Sequence, residues 1–408
     1  MTTLCWKVLA QKHNYDTTMK VLQSIPFMVA SQGGPSTCTC DLLQGLYENG
    51  AKVDLLTSAC QNPKDRNLGE GSEWLKEVTM DYRTPLALSK ATNRYLRTTE
   101  YDLYHANTLW LYPVHATCAY ARKVGKPYVL STHGMLYPTA LAVSGWKKRL
   151  MGALWYNKDI RHATCLHATC EAEMEYNRKW GYKGPIAVIP NPVVFPEYVR
   201  ELPAAKPNAS ADGKCAIGFL GRLHPIKKVE NIVYALSLLT PKKRKAVRLD
   251  IMGKYDDKYE QWLKDEVGRF GLEDSVEFVG FVSGEEKYER LRKLSALMVP
   301  SAQENFGMIV PEALICETPV YASLGTPWSE LNDCHCGWWR DNKPETIAGV
   351  ISEMLEMTDE QLQAMGRNGR KLMEEKYEQH KVAAMMQQLY DWIGGGMKMG
   401  EKPSFVYL

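Results

Sequence analysis

Ser301-Ala-Gln-Glu-Asn-Phe-Gly-Met-Ile-Val-Pro-Glu-Ala-Leu-Ile-Cys-Glu-Thr-Pro-Val-Tyr-Ala-Ser323 decides how the rest of this chain reads. Leu294 to Pro300 before it is a short apolar run of strand length, and a polar loop follows. Gly307 opens a segment, Met308 to Cys316, whose apolar residues recur at helical spacing, and Thr318 to Ala322 reads as the next strand. Strand, loop, helix and strand make one βαβ unit. The loop falls outside the carboxyl end of a strand and before a helix, where open α/β sheets bind ligands. The backbone N–H groups of Phe306, Gly307 and Met308 are placed there to meet an anion, and glycine allows a phosphate to come close.

Two carboxylates, Glu304 in the loop and Glu312 in the helix, are eight residues apart. An anion at the helix end would lie between them, leaving each to accept hydrogen bonds from hydroxyls on either side. By spacing alone they read equally as two solvated glutamates. The stretch as a whole closely resembles the paired-glutamate signature of the family 4 retaining glycosyltransferases, in the Glu-Asn-Phe-Gly-Met core, the second Glu-Ala-Leu and the following Thr-Pro-Val. The resemblance implies an α/β protein of GT-B fold, with two Rossmann-like domains facing across a cleft.

Composition agrees with two domains. The chain has 408 residues, 45% of them hydrophobic and 24% charged, which is globular and long for one core. A net charge of +3 gives no case for a nucleic-acid partner. Eleven cysteines scattered without a framework suit a reducing cytosol. Cys38-Thr-Cys40 and Cys334-His-Cys336 lack the paired spacing of a zinc site, and no Asp-x-Asp pair offers a carboxylate-held metal a home. No apolar run approaches the ~18 residues of a membrane span. Residues 1–18 are polar and irregular, and Met19 to Pro26 reads as a domain start. The pattern divides the chain into a domain over 19–200 and a second over 213–379, with a Pro/Ala/Ser-rich linker between them.

In the first half, Ser31-Gln-Gly-Gly-Pro-Ser36 lies between a strand at Val21 to Ile25 and a helix from about Ser36 to Asn49. Gly33 and Gly34 read as a tight turn, and the resemblance places them against a donor diphosphate. A strand ending at Ser131 leads into Thr132-His133-Gly134-Met135. His133 resembles the family's active-site histidine, which implies contact with the transferred sugar. Trp146 to Lys158 reads as one amphipathic basic helix, with Trp146, Leu150, Ala153, Leu154 and Asn157 near one face. It is either an ordinary surface helix or a patch for anionic lipid headgroups. Asn191-Pro192-Val193 stands where the family has Asn-Gly-Val, so that turn is assigned no donor contact.

In the second half, Cys215 to Leu220 is a buried strand running into Gly221-Arg222-Leu-His-Pro-Ile-Lys227-Lys228. Arginine forks match phosphate oxygens and lysine adds a mobile charge, although two cations after a strand read equally as surface charge. The run resembles the family's diphosphate clamp, except that Lys228 stands where glycine is common. Gly280 and Phe281, at a strand exit, are implied to frame the nucleobase. Thr326 to Leu331 with Gly337-Trp338-Trp339 resembles members that build surface polysaccharides, although tryptophans there also serve as core. The last helix, about 380–395, is expected to cross back to the first domain, as in other GT-B proteins.

The resemblance spans about 19–393 and implies a retaining hexosyltransferase. Its donor would be a GDP- or UDP-sugar, and its acceptor a glycan or lipid-linked saccharide in cell-surface polysaccharide synthesis. Arg222, Lys227 and the amides of Phe306, Gly307 and Met308 would hold the diphosphate, in place of a metal or any other cofactor. Glu304 would face the sugar side, Asn305 would bind the donor and Glu312 would hold the ribose. His133 would reach the sugar from the other domain, so that chemistry requires closure. Such an enzyme is expected in the cytoplasm, at the inner face of the cell membrane. Two alternatives are a nucleotide-sugar hydrolase or epimerase of the same fold and a non-catalytic sugar-binding subunit. The separated glutamates and the His-Gly turn count against the first, and the presence of Lys227 and both glutamates counts against the second.

Overall fold

The computed structural model describes residues 19–29, 34–59, 72–78, 86–200, 213–254 and 256–408. The 1–18 extension, Gly33 and nearly all of the expected linker lie outside these. Among the described residues, fourteen strands form two sheets. The first contains β1 (Lys20–Phe27), β2 (Lys52–Ser58), β3 (Leu75–Val78), β4 (Leu103–Asn107), β5 (Tyr128–Ser131), β6 (Cys165–Ala168) and β7 (Ile186–Val188). The second contains β8 (Cys215–Leu220), β9 (Val247–Met252), β10 (Val276–Gly280), β11 (Ala296–Val299), β12 (Val320–Ser323) and β13 (Gly337–Arg340). β14 (Val406–Tyr407) returns to the first.

The strand order is β14-β7-β6-β5-β4-β1-β2-β3 in one sheet and β10-β9-β8-β11-β12-β13 in the other. All pairings are parallel except β14 with β7. Parallel sheets have helices on both faces, which is why β4, β5, β6, β11 and β12 are buried along their whole length. Each sheet reverses its winding once, between β1 and β4 and between β8 and β11, and those two switch points are where ligands bind in such sheets.

The helix Gln379–Gly394 packs its Val382, Ala383, Met386, Leu389 and Tyr390 into the core of the first sheet, beside Leu42, Leu43 and Leu46 of helix Gly34–Glu48. Sequence reading leaves out β3, β13 and β14. All three are short, and β3 (Leu-Lys-Glu-Val) is a partly exposed edge strand without a continuous apolar run.

Two local readings need correction. The helix after β11 spans Ile309–Ile315 and begins two residues beyond Gly307, because Gly307 has φ +77°, a left-handed conformation that cannot continue a right-handed helix. The amides of 306–308 therefore sit in the turn before the helix. The Trp146–Lys158 segment is helical but not uniform: an α-helix at Gly145–Met151, a π-turn at Gly152–Tyr156 and a further turn at Asn157–Arg161. The π-turn lets Tyr156 and Ile160 bury while Trp146, Leu150, Ala153 and Leu154 stay exposed.

Candidate active site

Two adjoining cavities lie between the sheets. One, of about 370 Å³, is walled by Gly34 and His133 from the first half and by Arg222, Lys227 and the 304–309 loop from the second. The other, of about 380 Å³, is walled by Gly34, Thr37, Lys254, Phe281, Lys287 and Glu312. Gly221, Arg222, Met308 and Ile309 border both and form the junction. The structure thus gathers His133, Glu304, Asn305, Phe306, Gly307 and Lys227 at one end. It places Phe281 and Glu312 at the other, with Phe281 75% exposed and its ring open to a ligand. Gly280, with φ +86° at the end of β10, precedes Phe281 without lining either cavity.

The 301–308 loop is fixed from below. The Phe306 ring is buried against Trp328 and Tyr377, with centroids 5.0 and 5.9 Å away, and the Phe306 carbonyl accepts a 2.5 Å hydrogen bond from Trp328 Nε1. Phe306 therefore offers a ligand only its backbone. Two of the three tryptophans between Thr326 and Trp339 are core: Trp328 is fully buried and Trp338 nearly so, with its Nε1 bonded to Glu353, while Trp339 is only partly buried.

Lys227 ends a short 3-10 turn, Pro225–Lys227, and its ammonium pairs with the Glu304 carboxylate, which also accepts from Ser301 Oγ at 2.8 Å. The two side chains are 16% and 12% exposed, so water weakens this pair little. Lys228 has φ +55°, which explains why glycine is common at its place. A lysine adopts that conformation at roughly 1–2 kcal/mol. Glu312 pairs with Lys287 at 2.9 Å. Asp41, on helix Gly34–Glu48, faces this pair from the other half. Burial, reinforced by Glu312 and opposed by Lys287, pushes its carboxyl up to about 7.

His133 stands on the turn after β5 with φ +48°. Its neighbour Gly134 has φ +72°, and a Cβ there would lie 2.9 Å from Asn305 Cβ. Glycine is what lets the two halves touch here, and Cys170 Sγ donates to the Asn305 carbonyl at 3.3 Å beside it. Glu173 holds the turn in place. One carboxylate oxygen accepts from Gly134 N (2.5 Å) and Thr132 Oγ1 (2.8 Å), and the other from Thr169 N (2.7 Å) and Thr169 Oγ1 (2.9 Å). Burial drives the His133 pKa down to about 4, against the attraction of Glu173, so the ring is neutral at pH 7.

Sequence reading misses Asp41, Glu173, Lys287 and Ser301. Each is an ordinary polar residue in its own segment, and only the folded chain brings it to the site. Among the described residues, no group of three or more His, Cys, Asp or Glu is arranged to hold a metal ion. None of the described helices is long and apolar enough to cross a membrane.

Two parallel doubly wound domains with adjoining cavities between them at their switch points define a GT-B architecture. Residues 33–192 match the family profile "Glycosyl transferase 4-like domain", and residues 203–372 match "Glycosyl transferases group 1". The chain belongs to the family 4 glycosyltransferases, which carry this pair of domains. The D-inositol 3-phosphate glycosyltransferase of Stackebrandtia nassauensis is 25% identical over 339 residues, covering 75% of this chain and 74% of that protein. Anabaena HepE, crystallised with UDP, superposes with a TM-score of 0.69 at 20% identity, over 92% of this chain and all of HepE. The sucrose-phosphate synthase of Thermosynechococcus elongatus does so with a TM-score of 0.70 at 21% identity, over 92% of this chain and all of that one. At these identities, the two structures speak for the fold.

Proposed function

We propose that this protein is a retaining hexosyltransferase. It moves a hexose from a GDP- or UDP-sugar to a glycan or lipid-linked saccharide in cell-surface polysaccharide synthesis, without a metal or other cofactor. The carrying observation is the Lys227–Glu304 ion pair in the cavity with His133, which Arg222 also lines from the junction of the two cavities. A nucleoside fits the cavity with Phe281 and Glu312, a diphosphate fits the junction, and a hexose fits the cavity with His133. HepE, which shares the fold, has been crystallised with UDP and with UDP-glucose, which supports a nucleoside-diphosphate donor.

When the diphosphate arrives, Lys227 exchanges one anionic partner for another. Glu304 is then released to hold sugar hydroxyls and to favour positive charge at the anomeric carbon. Arg222 and Lys227 stabilise the charge on the departing diphosphate. Glu312 exchanges Lys287 for the ribose hydroxyls. The bond from the anomeric carbon to the phosphate oxygen breaks, and the acceptor oxygen bonds to that carbon from the same face. The acceptor's proton passes to the leaving phosphate, which closes the balance without a protein nucleophile.

The enzyme works in the cytoplasm at the inner membrane face. Support comes from the exposed apolar side of the 145–161 segment, with Trp146 70%, Leu154 60% and Leu150 52% exposed beside Lys147 and Arg149. Lys148 contributes less, since its ammonium turns back to the Ala140 carbonyl at 2.5 Å.

The test is a thermal-shift panel of GDP- and UDP-sugars, followed by NMR of the product's anomeric configuration with the stabilising donor. Stabilisation by one nucleotide series and an unchanged anomer are expected. An inverted anomer rejects the same-face step.

A further inference from the structure

Beneath the returning helix Gln379–Gly394, the first sheet buries a row of polar side chains from four strands: Gln23 on β1, His105 and Asn107 on β4, Ser131 on β5 and His167 on β6. Gln23 and His105 are register partners, as are Ser131 and His167. Tyr390 comes down onto them from the helix. All six are at most 4% exposed, so each polar atom must find a partner inside the protein.

They form one continuous chain. His133 Nε2 lies 3.2 Å from Asn107 Oδ1, Asn107 Nδ2 3.0 Å from Gln23 Oε1, and Gln23 Nε2 2.9 Å from the Tyr390 hydroxyl. The Tyr390 hydroxyl lies 2.7 Å from His105 Nδ1 and His105 Nε2 2.6 Å from Ser131 Oγ. Ser131 Oγ lies 2.7 Å from His167 Nδ1, and His167 Nε2 2.8 Å from the Ile189 carbonyl.

The far end fixes the direction of every bond. The Ile189 carbonyl only accepts, so His167 carries its hydrogen on Nε2. A neutral, buried His167 then accepts at Nδ1, so Ser131 donates to it and in turn accepts from His105 Nε2. His105 Nδ1 accepts from Tyr390, whose oxygen accepts from Gln23. Gln23 Oε1 accepts from Asn107. A second contact, Asn107 Nδ2 to the Ser24 carbonyl at 3.4 Å, agrees with the same amide orientation but is too long to set it alone. Asn107 Oδ1 therefore faces His133 as an acceptor. Burial depresses the pKa of all three histidines, in keeping with neutral rings.

We propose that Tyr390, Gln23 and Asn107 are positioning residues that lock His133 as the Nε2–H tautomer, leaving Nδ1 an obligate hydrogen-bond acceptor toward the ligand. Nδ1 has no partner among the described residues, and His133 walls the sugar-side cavity. Resting on the function proposed above, this names the sugar class more closely. At the carbon that His133 meets, the hexose carries a hydroxyl that donates. A carboxylate there, as in a uronic acid, faces the Nδ1 lone pair and is rejected.

The test is nitrogen-15 NMR of the histidine rings in the full protein, alongside donor kinetics and thermal unfolding. The wild-type spectrum should show His133 protonated at Nε2 only. Tyr390→Phe keeps the ring and removes the link. It should turn His133 into a tautomer mixture and lower kcat by up to about 10²-fold, the scale that misplacing one group can cost, with little change in donor KM. Asn107→Asp keeps an acceptor at His133 and adds a charge. It should hold the Nε2–H form and raise the His133 pKa by more than a unit, adding an ionisation to the pH–rate profile. An Nδ1–H signal for His133 in the wild type overturns the proposal. So does a Tyr390→Phe protein that folds with its His133 signal and kcat unchanged. If Tyr390→Phe does not fold, Asn107→Asp decides, and an unmoved His133 pKa overturns the proposal. If the rings respond as expected but no nucleotide sugar is used, the function reading fails and the relay stands.

Discussion

Asp41→Asn should make the protein more stable at neutral pH and leave it almost unchanged in acid. Asp41 holds its proton up to about pH 7 in the folded state, against an ordinary value of 3.8. A raised folded-state value means that the folded protein binds the proton more tightly than the unfolded chain. The stability this gives is complete below the ordinary value and is lost as pH rises through about 7. Each unit of difference is worth 1.36 kcal/mol, so between about pH 4.5 and about pH 7.5 the wild type loses roughly 3 kcal/mol that a non-titrating asparagine does not. For a domain of this size, that is on the order of 5–10 °C in melting temperature. The assay is thermal unfolding of both proteins across this range, and the quantity read is variant minus wild type. That difference should grow with pH in the asparagine's favour. A difference that stays flat, or that shrinks as pH rises, refutes the account of Asp41 as a buried carboxyl facing Glu312 and Lys287.

Five other outcomes follow from the structure. Glu304→Gln should cut turnover about 10²-fold without weakening nucleoside-diphosphate binding, since Lys227 no longer has to leave a carboxylate; calorimetry beside initial rates checks both. Glu312→Gln should do the reverse, weakening nucleotide binding more than turnover, because the ribose is unchanged through the reaction. Gly134→Ala should be strained by roughly 1–2 kcal/mol at φ +72° and press on Asn305, so turnover should fall as the halves part, read by small-angle scattering and rates. Trp146→Ser with Leu150→Ser should abolish flotation with anionic vesicles at low salt, and activity should survive EDTA. Loss of activity restored by manganese sinks the cation-clamp reading.

The site loop was legible because its chemistry is local. Glycine at 307, the carboxylates at 304 and 312 and the strand before them lie within one βαβ unit. The turn after β8 that carries Arg222 and Lys227 to the cavity was legible for the same reason. What holds these parts was not. Glu173 reaches Gly134 across 39 residues and Lys227 reaches Glu304 across 77, and neither spacing leaves a periodic trace. Gln23, His105 and His167 did leave one: polar residues inside otherwise apolar strands that are buried on both faces. Their meaning appears only when strand order sets them side by side and Tyr390 arrives from the end of the chain. The π-turn at Gly152–Tyr156 likewise follows from burying Tyr156 and Ile160, a tertiary demand that helical periodicity does not register.

The antiparallel pairing of β14 with β7 bears on how the protein is made. Val406 is buried at the edge of the first sheet, and Tyr390 and its helix cover that sheet's face. During synthesis, the second domain leaves the ribosome with all six of its strands in hand while the first still lacks a wall and an edge. Domains commonly mature in the order of translation, but here the later one can close first. The earlier one must wait, with its polar row and the edge of β7 exposed to chaperones and proteases, until residues 379–407 emerge. A chain that stops short of them keeps its second domain whole and loses the half that carries His133.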